Sequence, residues 1–144
     1  MAVINVTAEA GNSTKTCIKT GGHSIMIDEP PMFGGEDTAP SPVAMLLASL
    51  AGCINAIGQW VAKEMQFEIK KLDINIDGEV DAAAFFTGNL EKRAGFSDIN
   101  VSVSLDAEIT EEQRTVWFKN VIERCPVTDN IKNATSVDFT LNCN

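Results

Sequence analysis

The chain has a single histidine, His23, and its four cysteines, Cys17, Cys53, Cys125 and Cys143, form no Cys-x-x-Cys pair. A zinc site needs ligands close in sequence or several imidazoles, so neither a metal nor another cofactor is expected. Basic side chains are also scarce. Eleven Lys and Arg stand against 20 Asp and Glu, a net charge of −9. Only Lys70-Lys71 and Lys92-Arg93 are adjacent, and no arginine precedes Arg93. Binding phosphates needs a basic face, so nucleic acid is not an expected partner. The N-terminal residues Met1 to Val6 lack both a positive stretch and a long apolar run, the two marks of a secretory signal. A cytoplasmic address is expected, with the cysteines as thiols at rest rather than a fixed disulfide framework.

What is present describes a globular domain. At 144 residues, 44% of them hydrophobic, the chain is expected to form one domain over 1–144, large enough to bury a core. Residues 14–20 and 24–28 are β-prone and flank Gly21-Gly22, which predicts a hairpin. The Pro- and Gly-rich residues 29–40 predict a loop. Ser41 then suits an N-cap and Pro42 the first helical position. No charged side chain occurs between Asp37 and Lys63, and apolar residues from Val43 to Val61 cover more than one face. Such a helix belongs in a core or a membrane. Asn55, Gln59 and the diluting Ala, Gly and Ser favour a central buried helix over a membrane span.

Leu72, Ile74 and Ile76 alternate with Asp73, Asn75 and Asp77, as in a half-buried strand. A second strand is expected over 80–86. A third, the clearest, carries Ile99, Val101, Val103, Leu105 and Ala107 on one face. Thr110-Glu111-Glu112-Gln113 is a capping box that opens a helix bearing Phe118, Val121, Ile122 and Cys125 on one face. Pro126 is expected to end that helix at Cys125. A last strand over 136–141 would turn Val137, Phe139 and Leu141 inward. The order β-β-α-β-β-β-α-β implies an α+β fold, with a mainly antiparallel sheet and two helices packed on it.

Cysteine is commonly buried as a small hydrophobe, and Cys17 and Cys143 are read in that way. Cys53 and Cys125 each lie on the apolar face of a helix, so the two could meet. Periodicity alone leaves open whether they form a redox pair or only pack.

The segment Pro40-Ser41-Pro42-Val43-Ala44-Met45-Leu46-Leu47-Ala48-Ser49-Leu50-Ala51-Gly52-Cys53 resembles the central-helix motif of the OsmC/Ohr family. Asp28-Glu29-Pro30 and Gly34-Gly35-Glu36-Asp37 are similar to the loop before that helix in the OsmC-like branch, and Glu123-Arg124-Cys125-Pro126-Val127 to the second cysteine motif. The resemblance spans essentially the whole chain. It implies an intertwined homodimer of OsmC-like fold with sites at the subunit interface. It also implies a thiol-dependent peroxidase of oxidative-stress defence, with Cys53 as the peroxidatic and Cys125 as the resolving cysteine. A small hydroperoxide would be the substrate and a dithiol the reductant. An apolar wall from Met45, Leu46, Leu50 and Trp60 would favour organic hydroperoxides. A helix C-terminus at Cys125 would oppose a thiolate there.

One departure bears on activity. The family's peroxidases carry a glutamate at the start of the central helix, paired with an activating arginine from the N-terminal strands. Val43 and Ala44 occupy the glutamate's place here, and the N-terminal strands hold no arginine. A cysteine in an apolar pocket without a cation has its pKa raised. His23 or a side chain of the partner subunit is the candidate substitute for the arginine, and Glu29 or Glu36 for the carboxylate, though His23, Glu29 and Glu36 are each also an ordinary exposed side chain in such a segment. The alternative reading is therefore a non-catalytic or weakly catalytic dimer that binds a small apolar ligand.

Overall fold

The computed structural model describes residues 1–89 and 91–142, so Cys143 lies outside the described residues. Its contacts gather the chain into two compact units, Met1–Ala48 and the residues from Ser49 onward.

In the first unit, β1 (Thr7–Ala10), β2 (Thr16–Thr20) and β3 (His23–Ile27) form an antiparallel sheet in the order β1-β2-β3. The expected hairpin is present. Thr20 pairs with His23 across Gly21 and Gly22, whose φ of 53° and 82° is the left-handed geometry that glycine adopts without strain. The loop after β3 is organised by one carboxylate. Asp28 is wholly buried, and its oxygens accept from the N–H groups of Glu29, Glu36 and Thr38 and from the hydroxyls of Thr14 and Thr38. The Thr38 N–H leads these donors in holding the Asp28 carboxyl far below the usual carboxylate range, against the opposing effect of burial.

Helix α1 (Pro42–Glu64) starts as its sequence implies, with Pro42 first and the Ser41 hydroxyl accepting from the Ala44 N–H. By length and composition it could cross a membrane. In the second unit, however, its Leu50, Ile54, Ile57, Val61 and Ala62 enter the hydrophobic core, at the i, i+4, i+7 spacing of one helical face. The other side is not buried as an all-round apolar helix would be. Val43, Leu46 and Trp60 are exposed.

Strands β4 (Lys71–Glu79) and β5 (Asp98–Asp106) pair antiparallel over their full length, from Lys71–Asp106 to Glu79–Asp98. Their inner positions, among them Leu72, Ile74, Val101 and Val103, cover the core while the intervening residues are exposed. Helix α3 (Glu111–Arg124) contributes Trp117, Val121 and Cys125, each essentially unexposed, at i, i+4 and i+8. Phe118 lies to the side of that stripe, 40% exposed.

The α+β class, the antiparallel pairing and the long α1 agree with the sequence reading, but four elements differ. Residues 80–86 are not a strand: Asp81 caps the short helix α2 (Ala82–Phe86) by accepting from the Ala83 N–H. Residues 136–141 form no strand, and Val137, Phe139 and Leu141 are exposed rather than inward, since no described strand lies alongside to pair with them. β1 was not anticipated. Pro126 does not simply stop the chain's helical course, because it is the first residue of α4 (Pro126–Lys132).

Candidate active site

Cys53 is placed by α1 and Cys125 by the junction of α3 and α4, both within the second unit. Although 72 positions apart in sequence, their Sγ atoms lie 2.9 Å apart. Both cysteines are free. The pairing follows from the two apolar faces. Ile54 and Ile57 hold α1 in the same core that Trp117 and Val121 hold α3, and each cysteine sits beside those anchors. Closing to a disulfide bond of ~2.05 Å would need about 1 Å of movement. Exposure distinguishes the two sulfurs' residues. Cys125 is 1% exposed, whereas Cys53 is only partly buried.

The electrostatics of Cys125 differ from the sequence expectation. It is the C-cap of α3, but it is equally the N-cap of α4, and its Sγ accepts the Thr128 N–H at 3.4 Å. Burial works against a Cys125 thiolate. The hydrogen bond from Cys53 and the Thr128 and Val127 donors outweigh it, leaving this thiol below its ordinary pKa. Burial pushes the Cys53 thiol up, and the neighbouring Cys125 pushes it further, against a smaller opposing effect of the Val127 N–H. The hydrogen bond is placed with Cys125 Sγ donating to Cys53 Sγ, but a thiol hydrogen can sit on either sulfur, and the Thr128 and Val127 donors favour charge settling on Cys125. Thr128 and Val127 are the site residues that sequence reasoning missed. Cys125-Pro126-Val127-Thr128 carries their signal, an N-cap residue followed by proline at the first helical position.

Among the described residues of the second unit, no Lys or Arg acts on either sulfur. Arg124 is next to Cys125 in sequence, but its guanidinium is committed to both carboxylate oxygens of Glu64. Arg114 donates to the carbonyls of Leu105 and Ala107. His23, at the start of β3, is exposed, and Lys15 pairs with Glu36 at 2.9 Å.

Beside the cysteines is an apolar cavity of about 320 Å³, small for a ligand site. Leu50 and Ile54 of α1 wall it together with Ile122, Ile131, Thr128 and Lys132, among others. It differs from the expected apolar wall. Leu50 is part of it, but Met45, Leu46 and Trp60 are not, and Leu46 and Trp60 are exposed. The cavity adjoins the pair through Thr128, whose N–H meets Cys125.

The sequence matches the family model of OsmC-like proteins over residues 34–140. No curated protein matches it. Among solved structures it is similar to an OsmC-like protein from Mycoplasma pneumoniae, with a TM-score of 0.77 at 20% identity, covering 91% of this chain and 88% of that one. An organic hydroperoxide resistance protein OsmC from Legionella pneumophila has a TM-score of 0.62 at 18% identity, covering 92% and 90%. The organic hydroperoxide resistance protein of Bacillus subtilis has a TM-score of 0.55 at 21% identity, covering 89% of each chain. At these identities the likeness is one of fold.

Proposed function

This chain belongs to the OsmC-like protein family, and from that premise we propose that it is a thiol-dependent peroxidase reducing organic hydroperoxides through Cys53 and Cys125. The observation that carries this reading is the contact between two free sulfurs, 2.9 Å apart and each anchored in the core by its own helix. Core packing needs no second cysteine at that point. Relatives of the same fold named as organic hydroperoxide resistance proteins give the substrate class.

The partly exposed Cys53 meets the peroxide first. Its sulfur attacks the terminal peroxide oxygen, the O–O bond breaks, and the products are a Cys53 sulfenic acid and an alcohol. Cys125, buried against it, condenses with the sulfenic acid to give the disulfide and water, and a dithiol reductant returns both thiols. The aliphatic cavity beside the pair would take the apolar part of the substrate. In this reading residues 1–144 act as one domain in a cytoplasmic homodimer, within oxidative-stress defence.

Stopped-flow oxidation of the reduced protein by an organic hydroperoxide, with thiols counted before and after, tests the assignment. Wild type should lose two thiols rapidly, and Cys125→Ser should hold a stable sulfenate. Peroxide consumption that is unchanged in Cys53→Ser would end it. A second reading, a weakly catalytic or non-catalytic dimer binding a small apolar ligand, is favoured by the lack of any cation acting on the sulfurs among the described residues of the second unit. In that case the two thiols persist under hydroperoxide while an apolar ligand still binds the cavity.

A further inference from the structure

Attack by Cys53 releases a proton, and no basic side chain among the described residues of the second unit acts on this sulfur. The nearest acceptor is another sulfur. Cys125 Sγ lies 2.9 Å from Cys53 Sγ and accepts the Thr128 N–H at 3.4 Å. A sulfur that shares one thiol hydrogen with a neighbouring sulfur and accepts a backbone N–H has hydrogen bonds in place to meet a negative charge once its own proton is lost. Cys125 is also shielded from solvent and therefore from peroxide, so a thiolate there accepts protons more readily than it attacks.

We propose that Cys125 is the catalytic base of the first step, its thiolate taking the proton of Cys53 as Cys53 attacks, in place of a basic side chain. The peroxide step rests on the peroxidase reading above; the proton transfer does not. Starting from Cys53–SH and Cys125–S⁻, the Cys53 sulfur bonds to the terminal oxygen of ROOH while its proton passes to Cys125. The O–O bond breaks towards the alkoxide, which takes that proton from Cys125 and leaves as ROH. Cys53 is then a sulfenic acid, oxidised by two electrons, and Cys125 is again a thiolate. It attacks the sulfenic sulfur, expels hydroxide and closes the disulfide. One sulfur thus serves as base in the first step and nucleophile in the second, and one negative charge suffices for both.

The groups facing the pair simplify its titration. β4 and β5 turn only apolar side chains to the core. Arg124 is bound to Glu64, and Asp129 accepts from Asn133. Lys132 lines the adjoining cavity but is not among the groups acting on either sulfur. Within the second unit the two thiols therefore titrate mainly against each other.

The test reads the reactivity of Cys53 against pH in two ways in the reduced full-length protein. One is alkylation by iodoacetamide, located by mass spectrometry, which needs a Cys53 thiolate but no peroxide. The other is sulfenate formation with cumene hydroperoxide. In wild type both rates should rise with the pair's first ionisation and level off at a lower pH than in any variant without Cys125. In Cys125→Ser and Cys125→Ala both should fall about tenfold or more near neutrality and rise roughly tenfold per pH unit, as for a solitary buried thiol. Far-UV dichroism establishes that each variant is folded, and the two substitutions guard against a defect peculiar to one. Wild-type Cys53 rates and a wild-type pH profile in the folded variants would overturn the proposal, leaving Cys125 a resolving cysteine only. Cys125-dependent alkylation at neutral pH without any reaction with hydroperoxide would uphold the base and sink the peroxidase.

Discussion

Trp117 and Gly58 lock α3 to α1: the indole Nε1–H donates to the Gly58 carbonyl at 2.9 Å, and a Cβ at position 58 would meet the ring's Cζ2 at 3.0 Å. The glycine serves close approach here, at a wholly buried ring that has no room to yield. Gly58→Ala should therefore destabilise the second unit despite alanine's better helix propensity, by about 1 kcal/mol net of overpacking. Trp117→Phe should cost roughly 1–3 kcal/mol through the lost hydrogen bond and volume. Urea titration followed by far-UV dichroism measures both. Unchanged midpoints would mean that the two helices are not held by this contact.

Helix α3 begins with reciprocal hydrogen bonds, the Gln113 N–H to the Thr110 hydroxyl at 3.2 Å and the Thr110 N–H to the Gln113 amide oxygen at 2.9 Å. Thr110→Ala should lower stability by about 1 kcal/mol, with Thr110→Ser close to wild type. The double variant with Gln113→Ala should cost less than the sum of the single ones, since either change breaks part of the same box. Additive losses would argue that the two bonds act separately.

That capping box was legible in the sequence, and so were α1, the β2–β3 hairpin and the alternation in β4 and β5. Each is a local pattern that one segment's burial enforces. The misreadings have local causes too. Residues 80–86 combine strand-forming Val and Phe with three alanines, and the Asp81 cap decides for helix. The alternation of Val137, Phe139 and Leu141 is real, but a strand needs a neighbour, and none lies beside it among the described residues. At the candidate site, two helical stripes correctly suggested that Cys53 and Cys125 could meet. Their charge preference was missed, because Pro126 reads first as the end of one helix, whereas it also begins the next and so makes Cys125 the cap of that second helix.

Asp28 makes the first unit sensitive to acid. Its folded pKa is depressed, so its stabilisation is fully present above the unfolded value of about 3.9 and is lost as pH falls towards the folded one. Thermal melts from about pH 6 downward should therefore show wild type losing stability below about pH 4. Asp28→Asn, which places an NH2 group among N–H and O–H donors, should start less stable and lose less over that window. Hydrogen exchange at the Glu36 and Thr38 amides should quicken in the variant at neutral pH, since both donate to the Asp28 carboxylate. Equal exchange at those amides would show that the loop is ordered by something else.

Thr128 is the residue through which the charge on Cys125 can be adjusted without touching either sulfur. Its N–H reaches Cys125 Sγ at 3.4 Å, and its hydroxyl adds to the groups that draw the thiol's pKa down. Thr128→Val keeps the backbone donor and removes the hydroxyl, so the thiolate should appear at higher pH; Thr128→Ser should restore the wild-type value. Ultraviolet thiolate absorbance in a Cys53→Ser background isolates Cys125, with contributions from Cys17 and Cys143 cancelling in the difference. The sign extends to stability. A depressed thiol pKa adds stability above the unfolded value of about 8.5 and loses it as pH falls through the folded one, so Thr128→Val should reduce the gain at alkaline pH more than at neutral pH. If the thiolate appeared at the same pH in the valine variant, the hydroxyl would have no part in holding the charge. The backbone N–H and Cys53 would then have to account for it alone.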